Sequence, residues 1–160
     1  MDEVKCEINA DEAIVRRETL DKLRLHFVFN SLNAIRYLIK KQPDTAYDMV
    51  YDLAKYLRGC TEAIISEDMV PVEEELSFAK AYVSLEEIQR SRLSVSWQIE
   101  NCAGFVKPGS IYKEAERLLK QEVFCCKEPR TFLAMSDTER ALIQLCIVET
   151  GETVEIPIQK

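Results

Sequence analysis

A single histidine, His26, stands in the stretch LHFVFNSLN, residues 25–33. On a helix, residues 26, 30, 33 and 37 share one stripe, because three or four residues complete about one turn. That stripe reads His26, Asn30, Asn33, Tyr37. An imidazole can act as acid, base or nucleophile near neutral pH. Base catalysis, however, needs a group that orients the ring, and no acid shares the stripe with His26. By spacing alone the stripe reads as a solvated helix face that carries one histidine.

The other side chains with reactive or metal-binding chemistry are six cysteines: Cys6, Cys60, Cys102, Cys125, Cys126 and Cys146. They form no CxxC pair and follow no secretory leader. With one histidine available, a zinc site would need Cys125 and Cys126 together, an adjacency that suits tetrahedral ligation poorly. They read as reduced thiols of a cytoplasmic protein, and no metal site is expected.

The bulk composition sets the frame for these groups. The chain has 160 residues, 47% hydrophobic and 31% charged, with only 4 Gly and 5 Pro. That is the make-up of one helix-leaning folded domain, or of two small ones sharing a border. A net charge of −7 argues against nucleic acid as a partner, because phosphates call for clustered Lys and Arg. No apolar run approaches the ~20 residues of a membrane span, so no membrane insertion is expected.

Helical periodicity runs from about Asp11 to Lys41, with Leu25, Val28, Leu32, Ile35 and Ile39 as an apolar seam opposite the His26 stripe. QPD, residues 42–44, interrupts it, with Asp44 or Thr45 placed to cap a second helix. The second helix reads through Ala46, Met49, Val50, Leu53 and Leu57, and ends near Gly59. Two amphipathic helices so joined predict an antiparallel hairpin, which a second copy would complete into a four-helix bundle.

VPVEEEL, residues 70–76, opens a third helix, with Pro71 and three glutamates in its first turn and an end near Gln89. Leu93, Val95, Trp97 and Ile99 then alternate with Ser94, Ser96 and Gln98, which predicts a half-buried strand. A helix over 110–121 and two strands, 142–148 and 153–158 around ETGE, complete the reading. The change of period near residue 92 divides a helical part, 1–91, from an α+β part, 92–160.

Taken together, LHFVFNSLNAI, LAKYLRG and VPVEEELSFAKAYVSLEEIQRSRLSV resemble the dimerisation and phosphoacceptor region of LytS-type sensor histidine kinases. The matching positions are His26, Phe27, Asn30, Leu32, Asn33, Leu57, Arg58, Glu75, Tyr82 and Arg90. Leu25 stands where that family carries a proline. The resemblance implies that His26 is a phosphoacceptor whose neutral imidazole attacks phosphorus. Asn30, one turn away, would orient a water or a phosphoryl oxygen.

The same resemblance implies an ATP-binding domain with a magnesium-holding asparagine, an aspartate-bearing glycine turn and a glycine-rich lid. Anchored on Pro108, Glu116 and Arg117 fall at the glutamate and asparagine, and Glu149, Thr150 and Gly151 at the turn. No asparagine follows Asn101, Asp137 is the only aspartate beyond it, and nine residues follow Gly151. ATP-driven autophosphorylation is therefore not expected, nor is any bound cofactor.

The fold expected is α+β: a dimeric four-helix bundle followed by a small, degenerate ATPase-like sandwich. The function expected is histidine phosphotransfer, with His26 and Asn30 as site residues, to or from the aspartate of a response-regulator receiver. That receiver would supply the magnesium. The alternative is a catalytically silent module that binds and regulates a kinase or a response regulator.

Overall fold

A computed structural model describes residues 24–123 and 128–160. Its described part is α+β, with four helices and a mixed sheet. The chain divides into two compact units, residues up to Ala46 and Tyr47–Lys160. The change of period near residue 92 falls inside the second.

In the first unit, α1 is helical from residue 24 to residue 38. The part of its pattern before residue 24 lies outside the described residues. The helix ends in a turn in which Gln42 N–H donates to the Leu38 carbonyl at 2.7 Å. The next helix, α2 (Pro43–Ile65), begins at the proline itself rather than after it. A first-turn proline has no N–H to lose, and the Ala46 amide bonds to the Gln42 carbonyl at 3.0 Å, so Gln42 rather than Asp44 or Thr45 marks the helix start.

Gly59 does not end α2, which continues to Ile65. Glycine is placed there for proximity: the Phe78 ring lies against its α-carbon, and a β-carbon would come within 2.8 Å of Phe78 Cε2. Met49, Leu53 and Tyr56 on one face of α2 are buried, whereas Tyr47, Val50, Leu57 and Ile64 on another are exposed. The exposed set recurs at heptad spacing.

A two-residue strand, β1 (Val70–Pro71), leads into α3 (Val72–Gln89) and pairs antiparallel with β3 (Phe105–Val106). Strand β2 (Leu93–Gln98) follows α3, and α4 (Ser110–Val123) follows β3. The sheet is completed by β4 (Arg130–Asp137), β5 (Leu142–Ile147) and β6 (Glu152–Pro157) in the order β2-β4-β5-β6. Only the β2–β4 pairing is parallel.

Helices α3 and α4 pack on each other, α3 against β2 and α4 against β5 and β6. Phe132, Ala134, Ile143, Leu145 and Ile147 of the sheet are fully buried, as are Ala79, Val83, Leu85, Ile111, Ala115, Leu118 and Leu119 of the helices. Each large side chain so buried contributes about 1.5–3 kcal/mol relative to exposure. Ten residues of helix α3 are buried, Glu75 and Glu86 among them, because α2, α4 and β2 each take one of its sides.

Candidate functional site

His26 and Asn30 lie on the exposed face of α1, one turn apart. The Asn30 amide nitrogen is 3.3 Å from Nδ1 of His26, and among the described residues this is the hydrogen bond His26 makes. With the amide N–H donating, Nδ1 accepts and Nε2 carries the proton. A half-turn of the carboxamide presents its oxygen instead, so that Nδ1–H donates and the Nε2 lone pair faces solvent. The second arrangement leaves a ring nitrogen free to attack an electrophile. Among the described residues Asn30, and no carboxylate, is the side chain placed against the ring of His26.

Asn33 and Tyr37 continue the stripe and are exposed. Tyr37 is engaged by Lys41, whose ammonium sits 4.2 Å from the ring centroid and bonds the phenol oxygen. Ser31 turns its hydroxyl back to the Phe27 carbonyl at 3.0 Å. Of the apolar seam, Ile35 is buried, but Leu25, Leu32 and Ile39 are 55%, 47% and 57% exposed.

Three residues of the family-like words act far from His26 in sequence, inside the second unit. The buried carboxylate of Glu75 accepts the Gly109 amide at 2.9 Å and the Tyr112 amide at 3.2 Å, across the start of α4. Desolvation raises its pKa against the pull of those amides. Tyr82 donates to Glu86 at 2.9 Å, Glu86 pairs with Arg90 at 2.7 Å, and Arg90 donates to the Leu119 carbonyl at 2.8 Å. Burial holds the Tyr82 phenol well above its ordinary value. These residues fasten α3 to α4.

Tyr56 of α2 enters the same joint, buried beside Phe78, Tyr82 and Tyr112 with its hydroxyl 3.3 Å from that of Tyr112. Sequence reasoning missed this cluster, because its four rings come from three helices.

The helix and the turn that the family resemblance assigns to an ATP site do come together. Arg117 of α4 reaches Glu152, beside the β5–β6 turn, at 2.9 Å, and also pairs with Glu114 at 2.8 Å. Glu116 pairs with Lys120 at 2.7 Å. The Glu149 carboxylate accepts the Thr131 amide at 2.8 Å and the Thr131 hydroxyl at 2.7 Å. Partial desolvation works against its ionisation, but the Thr131 bonds outweigh it and leave the pKa lowered. Gly151 closes the turn with φ 73°. Among the described residues no three His, Cys, Asp or Glu side chains converge on a metal position, and no helix is long and apolar enough to cross a membrane.

The histidine kinase family model matches residues 19–93, the stretch that holds His26, Asn30, Glu75, Tyr82 and Arg90. The sensor protein LytS of Enterococcus faecalis is 26% identical over 132 residues, 81% of this chain and 22% of that protein. Over these residues the chain is similar to the LytS-type histidine kinases. The sensor histidine kinase YpdA of Escherichia coli is similarly 25% identical over 145 residues, 89% of this chain and 24% of that protein. The chain thus spans under a quarter of the length of these two relatives. No solved structure matches it significantly.

Proposed function

We propose that this chain is a histidine phosphotransfer protein of two-component signalling, with His26 as the station and Asn30 as its positioning residue. The observation that carries the reading is the Asn30 carboxamide within hydrogen-bond distance of Nδ1 of an exposed His26, inside the family-matched segment, where its half-turn puts the oxygen on Nδ1–H. In the transfer, Nε2 attacks the phosphorus of a receiver's aspartyl phosphate. The N–P bond forms as the acyl-phosphate P–O bond breaks, and the aspartate leaves as carboxylate. The Nδ1 proton stays on the ring, held by the Asn30 oxygen, and the reverse step returns the phosphoryl group. Magnesium belongs to the receiver in this scheme.

A degenerate ATPase part is supported by the engagement of Arg117 with Glu114 and Glu152, and of Glu149 with Thr131. A guanidinium at the place of a magnesium-holding carboxamide repels the metal. A homodimer built as a four-helix bundle is supported by the exposed apolar residues of α1 and the heptad-spaced Tyr47, Val50, Leu57 and Ile64 of α2. Charged receivers incubated with the parent and with a His26→Gln variant test the reading: acid-labile phosphate is expected on the parent alone.

The second reading, a silent module that regulates a kinase or receiver, is favoured by one observation. Among the described residues no carboxylate orients His26, which has only the neutral Asn30 amide. If His26→Gln left the regulatory output of the intact pathway unchanged, this second reading would replace the first.

A further inference from the structure

Within the second unit a cleft of about 620 Å3 opens beside α3. Its walls include Asp52 and Lys55 of α2, Ser77 and Lys80 of α3, and Trp97 and Ile99 at the end of β2. Two features of these walls point to one kind of occupant.

The first is an unpaired strand edge. Strand β2 is the outermost of its sheet, with β4 on one side only. The Arg130 amide bonds the Arg92 carbonyl, so the alternation of a parallel ladder turns the Ser94, Ser96 and Gln98 amides towards β4. Val95 and Trp97 must then send theirs the other way. The Val95 amide does so, donating to the Glu87 carboxylate at 3.2 Å, which closes the edge at that point. Beyond it, the Trp97 and Ile99 amides open at the cleft with no strand of the described residues beside them.

The second feature is charge. The Lys80 ammonium lies 5.4 Å from the Trp97 ring centroid, and that of Lys55 lies 4.7 Å from the centroid of Tyr51. Among the described residues neither ammonium reaches a carboxylate within ion-pair distance, although Asp52 and Glu73 border the same cleft. Both cations rest on aromatic faces, which fixes their place without neutralising them.

We propose that the cleft is a docking site for a short extended peptide of a partner protein. The peptide adds to the open end of β2 through main-chain bonds, its carbonyls accepting from the Trp97 and Ile99 amides and one alternate set of its amides donating to the carbonyls of that edge, with acidic side chains turned to Lys55 and Lys80. Strand addition supplies affinity through the backbone and selectivity through alternate side chains. Peptide docking here does not depend on phosphate at His26.

Trp97 is the only tryptophan in the chain, so intrinsic fluorescence reports from the cleft itself. The full chain is titrated with the end-blocked peptide Val-Glu-Val-Glu-Val and with its Lys-for-Glu counterpart. The acidic peptide is expected to change Trp97 emission saturably, and the basic one to bind about tenfold more weakly. N-methylating one alternate set of amides in the acidic peptide is expected to abolish the change, and methylating the other set to leave it intact. Lys80→Gln is expected to weaken the acidic peptide and to flatten its salt dependence.

Each contrary result overturns the proposal. Unchanged emission would mean that no peptide docks there. Equal binding of the two peptides would remove the charge argument, and indifference to both methylation patterns would remove strand addition. The same emission change from glutarate at equal concentration would make the cleft a site for small carboxylates.

Discussion

Replacing Gly59 by alanine tests the joint between α2 and α3. In an exposed helix interior, Gly→Ala stabilises by about 1 kcal/mol through lower backbone entropy in the unfolded chain. Here the added β-carbon would overlap the Phe78 ring, with Cε2 only 2.8 Å away. Carbon atoms rest at about 3.5–4.0 Å, so the ring must retreat by at least ~0.7 Å, and by more at Cδ2 and Cγ, which lie closer. It has little room to do so: it stacks on Tyr112 at 4.4 Å between centroids and lies 6.0 Å from Tyr56. Overpacking of this kind costs about 1–3 kcal/mol, which exceeds the helix gain. The expected outcome is a net loss of up to about 2 kcal/mol in urea unfolding of the full chain, with m unchanged. In a Phe78→Leu background the smaller side chain makes room, and Gly59→Ala should become neutral or stabilising. A stabilisation of about 1 kcal/mol by Gly59→Ala, independent of residue 78, would refute the packing argument.

Three further outcomes are expected. Glu75 has a raised pKa in the fold, so the folded chain binds its proton more tightly, and its contribution to stability falls as pH rises from about 4.5 through the raised value. The urea midpoint of the parent should therefore fall relative to that of Glu75→Gln as pH increases; a gap constant with pH would contradict this. Asn30→Ala should slow phosphoryl gain at His26 by about tenfold, by releasing the ring tautomer, and should leave stability within ~0.5 kcal/mol because the site is exposed. Equal transfer rates for parent and variant would remove Asn30 from the mechanism. Leu57→Glu places a charge on the heptad face of α2 and should shift the chain towards monomer in sedimentation, without altering the circular dichroism of the monomer. An unchanged dimer would move the interface elsewhere.

The parts of the fold legible in the sequence are those whose pattern is local. Strand β2, helix α4 and strands β5 and β6 fall within two residues of the ranges that periodicity marks. Strand β4 carries no such mark. Phe132 and Ala134 face the helices while Leu133 and Met135 lie on the other side, so a strand between two neighbours does not alternate polar with apolar. Strands β1 and β3 are two residues each, too short for any period.

Gly59 reads as a helix stop when only sequence neighbours are known, and as a contact once Phe78 lies against it. At the candidate site, the His26–Asn30 pair is a spacing of four on one helix and was visible at once. The bonds of Glu75 to Gly109 and Tyr112, and of Arg117 to Glu152, join residues more than thirty apart in sequence. Motif spacing marked Glu75, Tyr82 and Arg90 without revealing that they serve as fasteners between helices.

Phosphoryl gain by His26 is the measurement that bears most directly on the central claim. A panel of receiver domains, charged with a small-molecule phosphodonor and magnesium, is mixed with the full chain and with His26→Gln, and intact mass is read at neutral pH and again after acid. The account predicts one added phosphoryl group on the parent with at least one receiver, its loss in acid, and no gain by the variant. Gain by both proteins, or by neither with any receiver, would contradict it.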